Sequence, residues 1–118
     1  HQTAARYPAE QSEFDATGLS CEWLDGFSAP LVAEAEVKMA MQLRQHMPLE
    51  INGTHLVIGE IVALLLPDAA LRRDGSLNLP AADTVALSGL DEYLSTESLA
   101  RLSYAKPGQP LTEVPCDE

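Results

Sequence analysis

His46, His55 and Glu60 are the residues whose types could do chemistry in this 118-residue chain. Two imidazoles and a carboxylate could ligate a transition metal, and Glu60 by itself could serve as a general base. Spacing argues against both. Residues 55 and 60 lie an odd number apart on a segment that reads as extended, so their side chains project from opposite faces unless a bulge at Gly59 resets the phase. Glu60 is therefore read as half of a structural hydrogen bond or ion pair, and no metal is assigned. Met39, Met41 and Met47 lie at strand spacing and read as fillers of core gaps, not as a soft-metal site. Tyr93 and Tyr104 could cover a flat ligand, but packing in a core or interface is the reading preferred for each. Cys21 sits beside Glu22 with no neighbouring cation in sequence, which leaves its thiol unactivated. Cys21 and Cys116 are too far apart to form a Cys-x-x-Cys site. No G-x-S-x-G, P-loop or dinucleotide-binding glycine fingerprint occurs, so nucleophilic hydrolysis and nucleoside-triphosphate chemistry have no support. No catalytic residue is assigned.

Positioning His46, His55 and Glu60 falls to two long strands. Over Val32 to Met47 propensity favours a helix, since Ala, Glu, Lys, Met, Gln, Leu and Arg dominate. Yet Ala35, Val37, Met39, Met41 and Leu43 alternate with Glu36, Lys38, Ala40, Gln42 and Arg44, and that period of two predicts a strand. Thr54 to Leu66 carries Val, Ile and Leu on both faces, as in a strand covered on both sides. Pro48 and Asn52-Gly53 between them predict an antiparallel hairpin. Asn52-Gly53-Thr54 also matches a glycosylation sequon, and is read as a turn. Gly59 suggests a bulge or a close approach by another group.

Elsewhere the elements are short. Ser12 as a cap, acidic residues at 13 and 15, and Gly18 as terminator predict one helical segment, with Leu19 to Trp23 extended after it. A helical turn is expected over Ala69 to Arg73, closed by Asp74-Gly75. A second short helix is expected from Pro80 or Ala81 to Ser88-Gly89, and an extended piece at Tyr93 to Ser95. Pro107, Pro110 and Pro115 mark residues 108–118 as a flexible tail.

Composition sets the outer limits. The length suits one domain, the 46% apolar content excludes a disordered tail, and no apolar run is long enough for a membrane helix. Eighteen acidic residues against seven basic ones give a net charge of −11, which repels nucleic acid and anionic lipid. The cations form no stripe. Two distant cysteines and no visible signal peptide imply a reducing cytoplasm. The chain starts at His1 rather than Met, and a lone apolar hairpin is marginal in water, so further strands are expected from upstream or from another subunit.

Three blocks of residues are specific when taken together. Gly53-Thr54-His55-Leu56-Val57-Ile58-Gly59-Glu60-Ile61-Val62 resembles the strand of the flavin reductase-like domain family, the FMN-binding split barrels, in which a histidine precedes a Gly-Glu pair. Upstream, Thr3-Ala4-Ala5, Tyr7-Pro8 and Glu13-Phe14 followed by Gly18-Leu19 are similar to a second block of that family. Downstream, Asp74-Gly75, then Val85 to Leu90 with Tyr93, and Tyr104-Ala105-Lys106-Pro107 are similar to its closing pattern.

The resemblance runs from about Thr3 to Pro107 and implies that residues 1–118 are the C-terminal portion of one such domain. The fold it implies is mainly β with short helices: a Greek-key split β-barrel, here incomplete. It implies a cytoplasmic homodimer that binds FMN, or FAD, and takes hydride from NADH or NADPH. His55 is the residue it implies for cofactor binding, and the flavin-phosphate contacts are expected upstream of His1. Hydride transfer between two rings needs alignment and exclusion of water more than acid or base groups, which suits a sequence with no catalytic cluster. The alternative is a non-enzymatic flavin-binding or interaction module on the same barrel.

Overall fold

The computed structural model describes residues 1–115; the last three residues of the expected tail, Cys116 among them, lie outside the described residues. The chain forms two compact units, His1–Leu65 and Leu66–Glu118.

In the first unit, helix α1 (Glu13–Thr17) forms where its signals predict it. The Ser12 side chain accepts the Phe14 N–H, and Gly18 ends the helix at φ 73°, donating to the Phe14 carbonyl. That is a left-handed conformation glycine adopts without steric cost. Strands β1 (Cys21–Glu22) and β2 (Leu31–Val32) pair antiparallel. The strand expected from Val32 begins only at Lys38. Beyond Val32 the chain turns, with the Ala35 N–H on the Val32 carbonyl, and the Glu34 carboxylate takes the Ser20 N–H at 2.9 and 3.1 Å. These side-chain bonds offer residues 33–36 an alternative to a ladder.

Strands β3 (Lys38–Leu49) and β4 (Thr54–Leu65) form the long antiparallel hairpin that positions the histidines. Its turn closes as predicted: Gly53 sits at φ 69° and donates to the Leu49 carbonyl, while Asn52 Oδ1 accepts the Thr54 N–H and hydroxyl. Two bulges interrupt the ladder. Arg44 is the extra residue between the pairs Leu43–Gly59 and Gln45–Ile58, and Val62 is the extra residue between Met41–Ile61 and Ala40–Ala63. The bulge sought at Gly59 thus lies on the opposite strand. Met41 closes over the glycine: a Cβ at position 59 would come within 2.8 Å of Met41 Cε and 3.3 Å of Met41 Cβ. Gly59→Ala is expected to shift stability by under about 1 kcal/mol, because relief of glycine's entropy offsets a displaced, exposed Met41 tip. Gly59→Val adds bulk against Met41 Cβ, and urea midpoints should rank it clearly below the alanine variant.

β4 was expected to be covered on both faces. Among the described residues it has β3 as its one partner, and Leu56, Val57, Ile58, Ile61 and Val62 are exposed. The fully buried residue of the hairpin is Ala40, at 0% exposure, which the alternation had put with the polar set; β2, with buried Leu31, lies against β3.

In the second unit, short 3-10 turns at Asp68–Ala70 and Pro80–Ala82 precede a hairpin of β5 (Val85–Ser88) and β6 (Glu92–Ser95). The helix expected from Pro80 to Ser88 is therefore corrected. Pro80 opens one turn, Asp83 at φ 49° ends it, and residues 85–88 join a ladder with β6 instead of continuing as a helix. The proline-rich segment also folds back, with the Ser103 N–H on the Thr112 carbonyl and the Val114 N–H on the Arg101 carbonyl. The result is mainly β with few helices. Three separate two-stranded sheets are present, and among the described residues they do not close into a barrel.

Candidate functional site

Cross-strand partners share a face, so the register of the long hairpin decides which side chains meet. The pairs Met41–Ile61, Leu43–Gly59, His46–Val57 and Pro48–His55 lie on one face, and Gln42–Glu60, Gln45–Ile58, Met47–Leu56 and Leu49–Thr54 on the other. Simple alternation from Leu43 would have sent His46 to the second face. The extra residue Arg44 shifts the phase by one and brings His46 round to the face of His55.

The two imidazoles meet across the strands. His46 Nε2 lies 2.8 Å from His55 Nδ1, with ring centroids 4.9 Å apart and planes tilted by 35°. Both rings are exposed, and they adjoin an apolar strip of Met41, Leu43 and Val57, also exposed. No residue is inserted in β4 between 55 and 60, so the odd spacing keeps Glu60 on the opposite face. There its carboxylate pairs with the Arg44 guanidinium, the ion pair expected of it. The trio raised as a possible metal set is thereby divided into a histidine pair and an Arg–Glu pair. Tyr93 lies on β6 opposite Leu87, and Tyr104 is exposed beyond it in sequence. Sequence reasoning had not paired the histidines with each other. The signal was available only through the register, since nine residues separate them.

A second cluster went unrecognised. In the second unit Asp74 Oδ1 accepts the Ser76 N–H at 2.9 Å and the Ser76 hydroxyl at 2.7 Å, closing the turn predicted at Asp74-Gly75. The Arg101 guanidinium reaches Asp74 Oδ2, Ser76 Oγ and the Pro115 carbonyl. Hydrogen bonds from Ser76, side chain then backbone, followed by the Arg101 guanidinium, hold the Asp74 carboxyl well below the usual carboxylate range. A depressed folded-state pKa stabilises the fold above the ordinary aspartate value of about 3.9, and that contribution is lost as pH falls through the folded value. Asp74→Asn should therefore lower the urea midpoint at neutral pH and converge with the parent protein in strong acid. A difference that persisted or grew in acid would contradict this assignment.

Arg101 clamps a turn to the chain's return segment, and nothing in the cluster resembles a reaction centre. The histidine pair and its apolar strip remain the surface on which a ligand could be both stacked and hydrogen-bonded. A flat ring suits the apolar strip. Three of the cations are committed to carboxylates: Lys38 to Glu22, Arg44 to Glu60 and Arg101 to Asp74. Among the described residues no helix is long and apolar enough to cross a membrane.

No family model matches the chain, and no curated protein matches it. Among solved structures it is similar to a protein described as a flavin reductase with a split barrel domain from Shewanella frigidimarina NCIMB 400. The two are 52% identical, with a TM-score of 0.83, over 89% of this chain and 53% of that one. It is also similar to nitrilotriacetate monooxygenase component B from Bacillus cereus, at 24% identity and a TM-score of 0.68 over 82% of this chain and 50% of that one. Flavoredoxin of Desulfovibrio vulgaris (Miyazaki F) matches at 24% identity and a TM-score of 0.62, over 89% of this chain and 54% of that one. At 24% identity the last two speak for the fold alone. The chain spans about half the length of each of these structures. With 52% identity and a TM-score of 0.83 over 89% of its length, the chain is similar to the flavin reductase-like split-barrel proteins and has the fold of an incomplete split barrel.

Proposed function

We propose that the full-length protein is an FMN-binding oxidoreductase of the flavin reductase type, which passes hydride from NADH or NADPH to flavin. The observation that carries this reading is the 52% identity, over 89% of the chain, with a protein described as a flavin reductase. On this reading residues 1–118 are the C-terminal portion of one flavin reductase-like domain, in a cytoplasmic homodimer, with FAD as an alternative flavin. His55 is the cofactor-contacting residue of this portion. The exposed strip of Met41, Leu43 and Val57 beside it offers an apolar wall for a ring system. The phosphate grip is assigned to the part of the protein outside these residues, consistent with three cations already paired within them.

Flavin, when bound, supplies the electron-accepting ring. The chain's own part is to align two flat rings and keep water from them, a task of positioning that needs no general acid or base. The test is to purify the full-length protein, measure retained flavin, and follow oxidation of NADH and NADPH with added FMN or FAD. Flavin-dependent oxidation of one nucleotide is expected. Flavin retained without turnover of either nucleotide would replace the reductase with a non-enzymatic flavin-binding module. A colourless protein that does not quench flavin fluorescence would remove flavin from the account.

A further inference from the structure

We propose that His46 is a positioning residue for His55: its Nε2–H donates to His55 Nδ1 and holds His55 in the Nε2–H tautomer, so that His55 presents a hydrogen-bond donor to an acceptor oxygen of the bound cofactor. The cofactor half of this statement rests on the function proposed above, whereas the pairing of the two rings does not.

The argument starts from proton counting. Two neutral imidazoles carry two protons on four nitrogens, and the 2.8 Å contact between His46 Nε2 and His55 Nδ1 needs one donor and one acceptor. If His46 donates, both rings carry their proton on Nε2, the tautomer that neutral histidine side chains favour. If His55 donates, both protons must sit on Nδ1, and each ring takes the less stable form. Which nitrogen of a histidine is protonated is set by the bond its other nitrogen makes. With Nδ1 of His55 engaged as acceptor, its Nε2–H is the group left to meet a ligand.

The backbone makes this arrangement durable. The rings are diagonal neighbours on a paired ladder, His55 opposite Pro48 and His46 opposite Val57. The Arg44 bulge puts His46 on this face, and the Arg44–Glu60 ion pair ties that bulge to β4 on the other side. The ring planes are tilted by 35°, and a 2.8 Å nitrogen contact with centroids 4.9 Å apart means that the rings approach nitrogen to nitrogen rather than face to face.

A donor at His55 selects carbonyl-type acceptors. Two sources share that chemistry, a flavin ring carbonyl and the carboxamide oxygen of a nicotinamide, and the experiment separates them.

Long-range nitrogen–proton NMR on the full-length protein without cofactor reads the tautomer directly. His55 should show a protonated Nε2 and an unprotonated Nδ1. In His46→Ala the two nitrogens of His55 should move toward averaged shifts. In His46→Gln, whose side-chain amide can donate to Nδ1, the parent pattern should return. A protonated Nδ1 in the parent, or a pattern unchanged in His46→Ala, overturns the proposal. In the cofactor-loaded protein, His46→Ala frees the His55 ring in orientation as well as in tautomer and should weaken one interaction roughly three- to tenfold, the scale of one neutral hydrogen bond. A rise in flavin Kd identifies the flavin carbonyl, and a rise in nicotinamide KM identifies the carboxamide. If the tautomer is released and neither constant moves, the donor role toward the cofactor is overturned while the pairing stands.

Discussion

Strong binding of a hydrophobic dye, with self-association at micromolar concentration, is the expected result when residues 1–118 are produced by themselves. Among the described residues Leu31, Ala40, Ala70 and Ala82 are the buried apolar ones, and three of these four are alanines. Against them stand Met41, Leu43, Leu56, Val57, Ile58, Ile61 and Val62, all exposed on one hairpin. Each large aliphatic left in water forgoes about 1.5–3 kcal/mol of burial. Every sheet among the described residues is two-stranded, and isolated hairpins are marginal in water without a third strand or a covering layer. Such faces and open strand edges are what another chain adheres to. Size-exclusion chromatography with dye fluorescence checks this. A monomer that ignores the dye and unfolds in one sigmoidal urea transition would contradict it, and would mean that these sheets are stable without further cover.

The second large effect concerns Ala40. Its side chain is at 0% exposure, it pairs with Ala63 next to the Val62 bulge, and β2 lies against its strand. The site is closed within this chain, so additional protein around the hairpin cannot make room. Ala40→Leu inserts three carbons into filled space and should cost about 1–3 kcal/mol, read as a lower urea midpoint with an unchanged slope. Ala40→Ser is the control, because it adds one atom and tests polarity more than volume. A leucine variant as stable as the parent would show that β2 can move away from β3, and that the burial at Ala40 is not enforced.

What could be read directly from the residues was local or periodic. Helix α1 was legible because its start and stop signals, Ser12 and Gly18, act within one turn of the residues they cap. The long hairpin was legible because period-two alternation outlasted a composition favouring helix, and because Asn52-Gly53 has turn chemistry. The Pro80 segment misled for a related reason. Proline marks where a turn can begin and says nothing of its length, and pairing with β6 claimed Val85–Ser88 as a strand.

The candidate site divides the same way. The family resemblance singled out His55, and odd spacing on one strand separated it from Glu60. No count along the chain could place His46 beside His55, because that depends on which strand carries the extra residue. A bulge at Gly59 and a bulge at Arg44 are equally compatible with the sequence, and they send opposite sets of side chains to each face. The Arg101 clamp on Asp74 was invisible for want of any periodic link across 27 residues.

The sequence by itself determined that this chain is mainly β, acidic, built around one apolar hairpin and similar to flavin reductase-like split barrels. Those properties follow from composition, short-range turn chemistry and residue order. Only the tertiary structure decided that two histidines form a pair and that Glu60 turns away to Arg44. It alone showed Ala40, rather than a larger aliphatic, as the fully buried residue of the hairpin. Strand register is a property of two segments at once: a single inserted residue reverses every side chain beyond it, and neither segment records that choice alone.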